Sequence, residues 1–248
     1  IQFICKKLGF RVHLTLISNS KDIHFFDKNI WIPFADKENY YTNLCNDALK
    51  KTGKEWSNNF SKELRFYSLF YLVKSIIKKN NKINFAECGC WYGHSSYAIS
   101  KILLENNFSG KFEIYDSFEE GLSDFGSKDK NYNNLLNDDE KEIQRKAFSS
   151  NENFVRKLLK EFNFVNIYKG WIPEVFNKQN KNKYQFVHID VDLYDPTYKS
   201  LDFFYPRLVE KGIIVIDDYN LSQFTGAKTA VDDFLKKNEV SFFYEIPF

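Results

Sequence analysis

The sequence predicts an α/β fold with a mostly parallel central sheet, helices on both faces and an N-terminal helical extension. Three observations carry that expectation. From Asn84 onward, short apolar runs alternate with longer helical patterns, the order that generates βαβ units. A glycine-bearing turn follows the first of these runs and opens into a helical pattern. Two later apolar runs each end in aspartate, as strands do where a parallel sheet turns its carboxyl ends toward a ligand crevice.

Taken in order, residues 1–80 read as an extension, partly helical, that packs on the core, and residues 81–248 as the α/β domain itself. Within the extension, Phe60, Leu64, Tyr67 and Tyr71 recur at helical spacing. They predict an amphipathic helix lying against the sheet or against another copy of the chain. Strands are expected over 83–88, 111–115, 164–168, 185–189 and 212–216, with a last one at 242–246. Helices are expected over 95–105, 139–161, 196–208 and 226–236. Pro196 suits a first helical turn, where the N–H that proline lacks has no intrahelical partner to miss. The polar stretch 121–138 is too long for a tight connection and reads either as a lid over a site or as a surface loop.

Composition excludes several classes of partner. Lys and Arg total 35 against 33 Asp and Glu, a net charge of +2, and the basic residues are scattered rather than gathered into a stripe that could follow a phosphate backbone. No nucleic acid is expected. The longest apolar stretch, 66–77, is interrupted by Ser68, Lys74 and Ser75 and falls well short of the roughly 20 residues of a membrane helix. A soluble protein without a membrane span is the expectation. Four cysteines, Cys5, Cys45, Cys88 and Cys90, form no ladder of pairs, and nothing resembles a secretory signal, so a cytoplasmic location follows. The Cys88/Cys90 pair is spaced too closely for a usual zinc site. The chain has no Met and begins at Ile1, so its native N-terminus is expected to lie outside the sequence.

Three constellations could carry chemistry. In Glu87-Cys88-Gly89-Cys90-Trp91-Tyr92-Gly93-His94-Ser95-Ser96, the glycines allow a tight turn and close approach to a ligand, while the helix that follows offers free N–H groups. The Gly-x-x-x-Gly spacing differs from that of dinucleotide sites. Asp116 ends the next strand, where a carboxylate can accept from both hydroxyls of a ribose; a helix cap or turn is the competing role. The most specific feature is the pair of strand ends, His188-Ile189-Asp190-Val191-Asp192 and Ile216-Asp217-Asp218. Asp190, Asp217 and Asp218 should converge there, and three carboxylates repel unless a cation lies between them, which points to a hard divalent ion such as Mg²⁺.

Together these residues resemble the macrocin O-methyltransferase family of class I S-adenosylmethionine-dependent methyltransferases, which have a Rossmann-like fold. The likeness runs over about 84–236 and adds Asp116-Ser117-Phe118-Glu119, Gly170-Trp171 and Gly226-Ala227-Lys228 to the motifs above. It implies that Glu87, Gly89, Gly93, Ser95, Ser96, Asp116, Ser117, Gly170 and Trp171 shape the S-adenosylmethionine site. It likewise implies that Asp190, Asp217 and Asp218 hold the metal, with Asp192 the competing choice beside Asp190. Asp190 is the foremost candidate for proton acceptor, with His94 and His188 behind it. The implied reaction is metal-assisted transfer of a methyl group to a hydroxyl of a sugar or sugar-containing acceptor, and a non-sugar diol would satisfy the same logic. His94 stands where the family often has glycine, and Glu120 is inserted before Gly121, so acceptor choice does not carry over. The expected partner is a small-molecule or glycan acceptor, and the aromatic N-terminal region could join copies into a homo-oligomer. A catalytically inactive binding module and a nucleotide-dependent oxidoreductase are the rival readings; the glycine spacing and the acidic pair argue against the second.

Overall fold

The computed structural model describes residues 40–53, 60–129, 137–177, 181–219 and 225–245. Five strands, β1 (Asn84–Cys88), β2 (Phe112–Asp116), β3 (Val165–Lys169), β4 (Tyr184–Ile189) and β5 (Leu208–Ile216), form one parallel sheet in the order β3-β2-β1-β4-β5. The helices among the described residues are α1 (Tyr40–Thr52), α2 (Phe60–Ile77), α3 (His94–Glu105), α4 (Asp138–Ala147), α5 (Glu152–Leu158), α6 (Tyr194–Phe204) and α7 (Thr225–Lys237). No helix among these residues is long and apolar enough to cross a membrane.

The two-residue period of a strand divides the core into two layers. Phe85, Phe112, Ile114 and Phe186 face one side, where Phe70 and Val73 of α2 and Ile99 and Ile102 of α3 cover them. Leu44 and Ala48 of α1 join the same cluster. Ala86, Cys88, Tyr115, Val187 and Ile189 face the other side, beneath Phe203 and Phe204 of α6 and Val231 and Phe234 of α7. Strands β2 and β4 are buried throughout, and each fully buried aromatic or aliphatic side chain there contributes about 2–3 kcal/mol relative to exposure. The outer strands β3 and β5 are only partly covered.

Four local expectations are corrected. The helix expected over 139–161 is two helices: α4 stops at Ala147, and Asn151 caps α5 by accepting the Phe154 N–H at 2.8 Å. The helix expected over 196–208 starts at Tyr194 and gives way after Phe204 to a 3₁₀ turn, Tyr205–Arg207, because Pro206 has no N–H to continue the ladder. Residues 242–245 form no strand; Phe242, Phe243 and Tyr244 are exposed there, and β5 ends the sheet on that side. The buried stripe of α2 is Phe66, Leu69, Phe70, Val73, Ile76 and Ile77, rotated from the expected one; Leu64 and Tyr67 lie at its edge and Tyr71 is exposed. The Phe60 side chain and Cys5 lie outside the described residues.

Candidate active site

The carboxyl ends of all five strands point the same way, so the predicted residues gather along one rim of the sheet. Gly89 has φ +81°, and a Cβ on it would overlap the carbonyl oxygen of Asp190; only glycine lets the β1 turn pass so close to the end of β4. Gly93, with φ +83°, is the N-cap residue just before α3. Asp116 lies under the turn between them. One of its oxygens accepts the N–H groups of Cys90 (2.6 Å) and Trp91 (3.0 Å), the other that of Phe118 (2.6 Å). Burial pushes its carboxyl above the usual range, and the three N–H donors act in the opposite sense. Of the roughly four acceptor sites on a carboxylate, three are therefore spent on the chain itself. Gly170 joins the rim through its N–H to the Asp116 carbonyl (2.9 Å), followed by half-buried Trp171, while Ser117 Oγ donates to the Gly121 carbonyl (2.6 Å).

Strand register explains the next contact. Glu87 of β1 pairs with His188 of β4, so both side chains project on the α2/α3 face of the sheet. His188 Nδ1 lies 2.9 Å from Glu87 Oε1, and the other Glu87 oxygen accepts from Ser96 Oγ in the first turn of α3. Glu87 and Ser96 are fully buried and Ser95 nearly so, and the Glu87–Ser96 hydrogen bond ties β1 to the first turn of α3. His188 Nε2 is buried without a hydrogen-bond partner and faces Asp217 at 3.8 Å.

Two residues beyond His188, and so on the same face, comes Asp190. Ligand atoms of His188, Asp190 and Asp217 all lie within 4.8 Å of one another. Burial and the charge of Asp217 push the Asp190 carboxyl up to about 7. Burial acts on Asp217 in the same sense but is overcome by Arg65 and His188, which hold it down to about 2. For His188, burial opposes charging, while the carboxylates of Asp217 and Glu87 raise it to about 10. Asp218 goes elsewhere: successive residues at a strand end alternate in direction, and its carboxylate accepts the N–H of Asp192 (3.0 Å), whose φ is +59°. Burial raises both of these carboxyls well above the ordinary range.

His94 turns away from this corner. Its Nε2 lies 2.6 Å from Thr52 Oγ1 of α1, in a pocket shared with Cys45, Ala48, Leu49, Phe66 and Phe70. Arg65 is the residue that sequence reasoning missed. It reaches in from α2, with Nη1 2.9 Å from Asp217 Oδ2. Its only signal was an arginine in an aromatic-rich stretch that also carries Lys62 and Glu63.

The described part of the polar stretch is anchored. Asp129 accepts the N–H groups of Gly126 (2.8 Å) and of Tyr194 at the start of α6 (2.8 Å), and Lys128 Nζ lies 2.7 Å from both Tyr194 OH and Asp233 Oδ2. It is thereby tied across the first turn of α6 and on to Asp233 of α7.

Comparison with known proteins identifies the family. Residues 35–243 match the family model of macrocin O-methyltransferase (TylF). The chain is 22% identical over 219 residues to demethyldecarbamoylnovobiocin O-methyltransferase of Streptomyces niveus, covering 84% of this chain and 80% of that one. It is 24% identical over 180 residues to a tetracenomycin-C rhamnosyl 4′-O-methyltransferase of Streptomyces olivaceus, covering 71% and 67%. Among solved structures, the O-methyltransferase NovP superposes with a TM-score of 0.61 at 21% identity, covering 76% of this chain and 79% of that one. With the family model spanning most of the chain and the parallel sheet carrying its motifs along one rim, the chain belongs to the macrocin O-methyltransferase family, the S-adenosylmethionine-dependent O-methyltransferases.

Proposed function

We propose that this chain methylates a hydroxyl of a sugar or sugar-containing acceptor, with a divalent ion held at the corner formed by His188, Asp190 and Asp217. The observation that carries this reading is the convergence of those three side chains, their ligand atoms within 4.8 Å of one another, beside the glycine turn. The residues fit an ion on two counts. The buried Nε2 of His188 lacks a partner, and Glu87 on Nδ1 orients the ring as a carboxylate orients a metal-bound histidine. One imidazole and two carboxylates suit Mn²⁺ as well as Mg²⁺.

When bound, S-adenosylmethionine supplies the electrophilic methyl group and a divalent ion lowers the pKa of a coordinated hydroxyl. The chain's own part is placement and proton handling. Gly89, Gly93, Ser117, Gly170 and Trp171 line the cofactor side, while Glu87, Ser95, Ser96 and Asp116 fix the turn behind it. Asp190 is the acceptor for the hydroxyl proton, while His188, held by Glu87 on Nδ1, presents Nε2 to the ion. Asp218 supports Asp192 and the loop that follows. Acceptors of the relatives favour a sugar: one of them is described by its action on the 4′ oxygen of a rhamnosyl group.

Isothermal titration with S-adenosylmethionine and S-adenosylhomocysteine, with and without Mg²⁺ or Mn²⁺, tests the reading. Asp217→Asn should abolish metal binding and keep cofactor binding, and Asp116→Ala should lose the cofactor. Undiminished metal binding by Asp217→Asn would overturn the assignment of the corner.

A further inference from the structure

Asp217 already has a cation. The Arg65 guanidinium lies 2.9 Å from Asp217 Oδ2, and its charge also acts on Asp190, Asp218 and Asp192. A divalent ion shared by His188, Asp190 and Asp217 would have to stand beside this group, and two cations that close repel strongly where water is scarce. The guanidinium also lies over the Phe66 ring, 4.9 Å from its centroid. The Arg65 Nε is buried without a hydrogen-bond partner, so the guanidinium fork is only partly used, and 31% of the side chain remains exposed. With part of the side chain already exposed, the guanidinium could turn off Asp217 without moving α2, which stays packed through Phe66, Leu69, Phe70 and Val73 on its buried face.

We propose that Arg65 is a tethered counter-cation: it neutralises the acidic corner when no metal is bound, competes with the divalent ion for Asp217, and leaves Asp217 as the ion enters. This rests on the metal reading above and adds to it a competitor supplied by the N-terminal extension. Metal affinity is then set partly by a helix that contributes none of the proposed ligands. The device also explains how one acidic corner avoids the repulsion of its own carboxylates before metal arrives.

The test is direct Mn²⁺ binding to the full chain, followed by the loss of the free-ion electron paramagnetic resonance signal, for wild type, Arg65→Gln, Arg65→Lys and Asp217→Asn. Arg65→Gln should bind Mn²⁺ about tenfold more tightly or better, because the ion no longer has to displace a unit charge paired with Asp217. Arg65→Lys keeps the charge and should stay near wild type, which separates electrostatic competition from a change in packing. Equal or weaker binding by Arg65→Gln, with wild type still binding, would overturn the competitor role and leave the metal reading intact. Equal tightening in both Arg65 variants would overturn it too, because charge would not be the cause. Absence of binding in every folded variant would overturn both readings.

Discussion

Asp190 and Asp217 occupy one corner and are driven in opposite directions. Burial and its neighbour's charge push Asp190 up to about 7 from an ordinary 3.8, whereas Arg65 and His188 outweigh burial and hold Asp217 at about 2. The consequence for stability follows from proton counting. Between about pH 4 and 7 the folded protein keeps a proton on Asp190 that the unfolded chain has lost, so this contribution is present below the unfolded value and disappears as pH rises through the folded one. With a chelator present, melting curves should show wild type losing stability over that window, and Asp190→Asn should show a shallower decline. Parallel curves would mean that Asp190 is ionised throughout. Which residues share the corner was only half legible in the sequence. The strand ends gave Asp190 and Asp217, but two-residue alternation sends Asp218 away and brings in His188, which a reading by charge alone ranks lower.

At the scale of the elements, the turn after β1 and the cap of α5 should differ sharply in their tolerance of change. Gly89→Ala sets a Cβ against the Asp190 carbonyl at φ +81°, so it combines backbone strain with overlap and should cost on the order of 3 kcal/mol or more. Asn151→Ala removes one side-chain acceptor from a helix N-terminus and should cost about 1 kcal/mol. Urea unfolding of both variants checks the contrast; similar losses would show that the turn can shift to admit a side chain. The five central strands were legible because their apolar runs are short, punctuated and paired with helices. The break in 139–161 was not, since Ser149, Ser150 and Asn151 disrupt a helix only through the local hydrogen bonds that Ser149 and Asn151 make. The buried face of α2 was equally hidden, because apolar residues occupy nearly its whole circumference and tertiary contacts alone choose the side. Residues 242–245 have the composition of a strand but pair with no neighbouring one, and β-propensity alone forms nothing.

For the whole molecule, the extension and the sheet should melt as one unit. Phe70 of α2 is 1% exposed and belongs to the same cluster as Phe85 of β1 and Ile99 of α3. Phe70→Ala should therefore cost about 3–5 kcal/mol and shift far-ultraviolet circular dichroism and tryptophan fluorescence together. Two separated transitions would mean that the first helices fold apart from the sheet. The contact between Glu87 and His188 has a wider consequence at this scale. It splices the glycine turn after β1 and the acidic corner into a single chassis, each half held by a residue of the neighbouring strand. The polar stretch 121–129 attaches to that chassis from outside, through Asp129 and Lys128. A graft of that stretch from a relative should therefore leave the chassis intact, and acceptor preference that follows the graft would mark the stretch as its source.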